Sequence, residues 1–410
     1  MELTYESRQS LIDSLANKTD SKAAELYAHE NRHFQDLIGT VWGQDYLDLL
    51  FSAYDAILTR PRSELNYPVL LSLFDADRAI LFPSYYKYVM PNAPRGSAVD
   101  RWSMSFSSGV RIRPDGRIDE TLPILFVRFD KGNKHVARQP ITVGSLLEMR
   151  ASGTEIGAWS AWNKSRPANE QVINEAIRVR ETMDYLYDPQ LTTYSVASHI
   201  AAQFLKDPDV VAMTDAGFKV SEIALNLTSN AFGRLEHPAA FFKELGRERL
   251  RGFKAQRDRG YAYTVLLWNL RGLSKGLVTE EAIEIALKRS GLRSIDENLS
   301  ASQIALERKH VNSLRDPNLR AIRARLIEAG LLILRRRNYS ALSLFPAGIL
   351  DPAPMVLTGE DIEEFHVGLP ALSIPQSHFL HDCYFRLRDD TKLALRAARG
   401  FEFGWTDYVY

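Results

Sequence analysis

The chain contains one cysteine, Cys383, in 410 residues, so no intrachain disulfide can form and a small disulfide-stapled scaffold is excluded. No stretch approaches 18 uninterrupted apolar residues, which argues against a membrane-spanning helix. The opening MELTYESRQSLIDSL lacks a basic segment followed by an apolar one, so no secretory leader is expected there. Net charge is lacking too: 51 basic and 51 acidic residues give +0, which argues against a protein whose main task is to coat nucleic acid or anionic membrane. No phosphate-binding G-x-x-x-x-G-K-[ST] loop, no G-x-G-x-x-G after a strand and no G-x-S-x-G elbow occurs, so nucleotide hydrolysis, dinucleotide redox chemistry and serine hydrolysis lack sequence support. These absences leave a soluble cytoplasmic protein as the expectation.

What is present is an ordinary globular composition, 45% hydrophobic, in a chain longer than one usual domain. Apolar residues recur at helical spacing from about Asp20 to Trp42, with Asp20 as N-cap and Gly43 as stop. A second helix follows in QDYLDLLFSAYDAIL and ends near Pro61. Between about Asn66 and Thr142 short apolar runs (YPVLLSLF, VRIR, PILFVRF) alternate with turn chemistry at PNAPRGS and RPDGR, which predicts strands and hairpins. Helical periodicity returns in SLLEMRASGTEIGAW and NEAIRVRETMDYLY and dominates after His237. The predicted fold is α+β and predominantly helical: a catalytic part with a small antiparallel or mixed sheet over 1–236, then a mostly helical part over 237–410. The boundary rests on the charged run FKELGRERLRGFKAQRDRG.

One motif carries chemistry. In HENRH, His29 and His33 stand four residues apart, so on a helix they share a face and can offer two imidazoles to one metal ion. Glu30 beside them can take a proton from water activated by that metal. Zinc in a catalytic site needs one further protein ligand and an open position. A chance H-E-x-x-H match arises in on the order of one chain of this length in a hundred, and here the match lies within an amphipathic helix.

Two glutamates compete to be the third ligand. In G-S-L-L-E-M-R-A-S-G-T-E, Glu148, Ala151 and Glu155 fall on one helical face, where the small Ala151 admits a close helix and Glu155 can orient a histidine. Glu175, in Asn174-Glu175-Ala176, is the alternative. The run HENRHFQD with the later G-S-L-L-E-M-R-A resembles the glutamate-type zincins, more narrowly bacterial zincin-like chains with an H-E-x-x-H-F start. The resemblance covers at most residues 1 to about 230 and implies a zinc peptidase with His29, His33 and Glu148 as ligands and Glu30 as general base. The pair Asn31 and Arg32 departs, through the charge of Arg32, from the uncharged pair many zincins carry between the histidines.

An oxyanion donor is also required; Tyr194 and His199 in TTYSVASHIAAQF, and His135, are candidates. PILFVRF can align an extended peptide by backbone pairing. His378, His381 and Cys383 in SHFLHDCYF have apolar neighbours and read as a buried element, not a second metal site. The arginine-rich stretches LGRERLRGFKAQRDRG and LRAIRARLIEAGLLILRRR are interrupted by acidic residues and read as solvated helix faces. The leading expectation is a zinc-dependent peptidase acting on a protein or peptide. The alternative is a non-catalytic interaction or regulatory protein whose helical C-terminal half binds a partner protein or nucleic acid.

Overall fold

A computed structural model describes residues 2–3, 21–60, 67–78, 85–97, 99–205, 209–239, 245–274, 276–335, 356–357 and 374–399. In chain order, β1 (Glu2–Leu3) is followed by α1 (Ser21–Gly39), α2 (Val41–Thr59) and α3 (Tyr67–Ala76), and then by β2 (Tyr88–Val89), β3 (Ser103–Ile112), β4 (Ile118–Lys131) and β5 (Lys134–Pro140). The chain continues through α4 (Val143–Asn163), α5 (Ala168–Leu186), α6 (Thr192–Phe204), α7 (Val210–Asn226), α8 (Ser229–Arg234), α9 (Arg247–Ala255), α10 (Arg259–Leu270), α11 (Glu280–Arg289), α12 (Ile295–Glu307) and α13 (Pro317–Arg335), with β6 (Val356–Leu357) and α14 (Ile374–Arg399) at the end. The fold is α+β and predominantly helical, as the periodicity predicts. No helix among the described residues is long and apolar enough to cross a membrane.

The first helix ends earlier than its apolar pattern suggests, and Gly43 does not end it. Thr40 is extended (φ −118°, ψ 156°), donates its hydroxyl to the Asp36 carbonyl at 2.6 Å and accepts the Gly43 amide at 2.9 Å, so one side chain closes α1 and caps α2. Gly43 sits inside α2, where a Cβ would collide with the backbone of Leu37. The proposed N-cap Asp20 lies outside the described residues. YPVLLSLF is a helix, not a strand: an eight-residue apolar run fits either, Pro68 is tolerated in a first helical turn, and Leu70 and Leu73, three apart, are both buried in the same core.

The chain divides into two compact units, and neither ends at residue 236. One comprises 1–74, 151–167 and 302–401; the other comprises 75–150, 168–301 and 402–410. The run around 242–260 that suggested a boundary is interior to the second unit, because α9 buries Leu250 and Phe253, and Gly252 lies against Pro123 of β4. In the first unit, α1, α2, α13 and α14 enclose a core including Ile38, Phe51, Ile57, Ile322, Leu326 and Leu387.

In the second unit four antiparallel strands lie in the order β2-β5-β4-β3. Period-2 spacing puts Leu125, Val127 and Phe129 on one face of β4 and Ile124 and Phe126 on the other, and all five are buried. Gly116 (φ 86°) makes the β3–β4 turn, and Pro123 is tolerated in β4 next to a register shift. From Phe126 to Phe129, PILFVRF is paired on both sides, by β3 and β5, so that stretch offers no free edge for the peptide pairing expected of it.

Gly330 on α13 is in close contact with the end of α1: a Cβ there would overlap the Ile38 carbonyl and come within 2.7 Å of Gln44 Nε2. Gly330→Ala should lower unfolding stability by about 3 kcal/mol. Urea denaturation followed by circular dichroism measures this; an unchanged midpoint would contradict the close packing of α13 on α1.

Candidate metal centre

The charged and polar composition of α1 is unusual for a helix whose residues are mostly buried or half-buried. Glu25, Asn31, Arg32, Gln35 and Asp36 are all buried, and such groups are stable inside a protein only when they have partners. One of those partners comes from α4. Arg32 Nε donates to Thr154 Oγ1 at 3.0 Å, and the Arg32 guanidinium faces Asp36 at 3.8 Å. One turn back, His29 Nδ1 and Glu155 Oε2 are 3.2 Å apart, with side chains 21% and 30% exposed.

That last pairing decides which nitrogen of His29 is available. With Nδ1 against a carboxylate, the neutral ring carries its proton there and presents the Nε2 lone pair. Nε2 of His29 lies 3.2 Å from Nε2 of His33, with the rings nearly perpendicular at 80° and centroids 4.8 Å apart. Two nitrogens about 2.05 Å from one tetrahedral zinc would be ~3.3 Å apart, so the observed spacing fits a shared ion.

Glu148 completes the group. The final turns of α4, residues 151–163, belong to the same unit as α1, and Glu148 sits on that unbroken helix less than one turn earlier, two turns from Glu155. Ligand atoms of His29, His33 and Glu148 all lie within 4.8 Å of one another, and each residue is half-buried. Among the described residues this is the set of three His, Cys, Asp or Glu that could hold a metal. Two imidazoles and one carboxylate, the first imidazole backed by a second carboxylate, is a donor set suited to zinc with an open position.

Other candidates are sorted by their surroundings. Glu175 is exposed on α5 and lies outside this group, so of the two glutamates the geometry favours Glu148. Glu30 is half-buried on α1, ~100° around the helix from His29 and ~60° from His33. Tyr194 on α6 is 42% exposed; partial burial pushes its phenol up, and the charge of Glu148 adds to the rise, which puts the two within electrostatic range.

His199 sits in an aromatic cluster and not in the metal group. It is enclosed by Trp102, Phe129 and Tyr187, with ring centroids at 5.5, 5.0 and 5.2 Å, and its Nε2 donates to the Leu186 carbonyl at 2.8 Å. Burial lowers its imidazole to about 4, only partly opposed by that carbonyl. A histidine ringed by aromatic side chains and bonded to a backbone carbonyl is held neutral and spends its Nε2 proton on that carbonyl, which leaves no donor for an oxyanion. The third oxyanion candidate, His135, stacks on Tyr88 and faces Asp130 at 3.2 Å on the sheet.

In the C-terminal cluster, Cys383 is buried in α14 and its thiol is pushed up to about 11, chiefly by burial, so it presents no thiolate for a metal. Key arginines of the basic stretches serve the interior. Arg259 lies over the Phe232 ring and donates to the carbonyls of Ala224 and Leu227, while Arg323 donates to the Gln44 carbonyl and Asp48. The role of Arg32 is one that sequence reasoning misses. Its one signal is an arginine in the middle of an otherwise core-facing stretch, a position arginine occupies only with a partner.

Comparison with protein-family models, with curated proteins and with solved structures finds no match to this chain.

Two outcomes follow from these placements. Glu148→Ala should abolish stoichiometric zinc binding while Glu175→Ala leaves it intact, as read by elemental mass spectrometry after dialysis; equal retention would remove Glu148 from the ligand set. His199, lowered to about 4 from its ordinary 6.5, takes up a proton in the unfolded chain before the folded one, so its contribution to stability is present above pH 6.5 and is lost as pH falls toward 4. The full term is about 3 kcal/mol. Asp258, buried and raised to about 6, has the opposite slope over an overlapping range. The His199 term therefore appears as the difference between wild type and His199→Gln in urea midpoints across pH 4 to 7. Parallel curves would contradict its neutral burial.

Proposed function

We propose that the chain is a zinc-dependent peptidase whose ligands are His29, His33 and Glu148. The observation that carries this reading is the convergence of the two Nε2 atoms at 3.2 Å with Glu148 in the same group and Glu155 on the far side of His29. The resemblance of HENRHFQD to the zincin motif points the same way. A bound zinc would supply a Lewis acid and make water acidic enough to ionise near neutral pH.

The chain's own residues do the rest. The general base is Glu30, the carboxylate that follows the first histidine in the motif. Glu30 accepts the proton of the attacking water and returns it to the amine that leaves when the C–N bond breaks. Tyr194, exposed and in electrostatic range of Glu148, is the candidate donor to the oxygen that gains charge on the scissile carbonyl. Glu155 holds His29 in the tautomer that presents Nε2. A single buried cysteine suits a reducing compartment, so the cytoplasm is the proposed place of action.

The test separates metal binding from hydrolysis. Glu30→Gln should keep one zinc per chain and lose peptide cleavage by at least about 100-fold, with cleavage of a proteome-derived peptide mixture followed by mass spectrometry. Wild-type cleavage by that variant would remove Glu30 from the mechanism.

A further inference from the structure

The metal group depends on how far α4 has slid along α1. The histidines of α1 are one turn apart, while the two carboxylates of α4, Glu148 and Glu155, are seven residues and ~10.5 Å of helix axis apart. One imidazole, His29, has to face Glu155 with Nδ1 and share the metal group with Glu148 through Nε2. A slip of α4 by a single residue, ~1.5 Å, would break one of those relations.

The His29–Glu155 pairing is itself partly exposed, at 21% and 30%, and water competes with it. The neighbouring Arg32–Thr154 hydrogen bond is buried, at 6% and 5% exposure. It joins the residue just before His33 to the residue just before Glu155. The Arg32 charge is faced by Asp36, which is wholly buried on the same helix. A desolvated, charge-assisted bond in this setting is stronger and more directional than one at the surface.

We infer that Arg32 and Thr154 form the register latch of the metal centre: positioning residues, not ligands, whose hydrogen bond sets zinc affinity by fixing α4 against α1. The arginine that departs from the uncharged pair between zincin histidines thereby has a role. The inference rests on the metal reading of His29, His33 and Glu148.

The experiment compares Thr154→Val, which keeps the shape and deletes the hydroxyl, with Thr154→Ser, which keeps the hydroxyl. Thr154→Ala deletes it without added bulk and stands in if the valine variant does not fold. Zinc affinity is measured by competition with a chromophoric chelator, the ligand field by cobalt(II) absorption, and stability by the Tm of the metal-free protein. The hydroxyl-deleting variants should bind zinc about 10- to 100-fold more weakly with an altered cobalt spectrum, and Thr154→Ser should stay near wild type. Wild-type affinity and spectrum in Thr154→Val or Thr154→Ala, with only the metal-free Tm lowered, would overturn the latch and leave the metal centre standing. Absence of zinc binding by the wild-type chain would overturn both.

Discussion

The hydrogen bond between Arg32 and Thr154, with the His29–Glu155 pairing beside it, joins α1 to α4, and the geometry of the candidate centre follows from that junction. Without it the HENRH face is two imidazoles on a helix. With it, a carboxylate lies behind one imidazole and another stands within 4.8 Å of both. The chemistry proposed for the chain thus depends on a helix–helix register, which polar contacts define more sharply than apolar packing can, because hydrogen bonds are directional and dispersion contacts are not.

Polar burial has a cost that the surroundings offset. A buried arginine left without a partner would destabilise the fold by several kcal/mol, and here Arg32 faces Thr154 and Asp36. The same logic recurs two residues past Glu148: Arg150, almost fully buried, pairs with Glu222, lies over the Phe218 ring at 4.5 Å and donates to the Phe218 carbonyl at 3.3 Å. The helix that carries Glu148 is therefore held by charged contacts along its length. A ligand placed on a helix fixed in this way is preorganised, which favours metal affinity and reactivity.

Much of this is legible in the sequence, and the gaps have physical causes. Four-residue spacing places His29 and His33 on one face, and seven-residue spacing places Glu148 and Glu155 on another, because helical periodicity is local. Apolar spacing carries α1 too far because Val41 and Trp42 continue its pattern, while Thr40 acts through a hydroxyl geometry that periodicity does not record. The burial of His199 is hidden because the rings that enclose it include Trp102 and Phe129, distant in sequence and brought together by the sheet. Glu175 separates from Glu148 by its exposure and by lying outside the histidine group, both properties of the folded chain. The arrangement of units is hidden for the same reason, since α13 and α14 share a core with α2 across more than 250 residues of sequence.

The most direct measurement is an anomalous difference map at the zinc absorption edge from crystals of the protein grown with stoichiometric zinc. The account predicts one strong peak within ~2.1 Å of Nε2 of His29 and of His33, bounded on its third side by the Glu148 carboxylate, with Glu155 still on Nδ1 of His29. A peak elsewhere, or clear density in which the two imidazoles bond to each other with no metal between them, would contradict it.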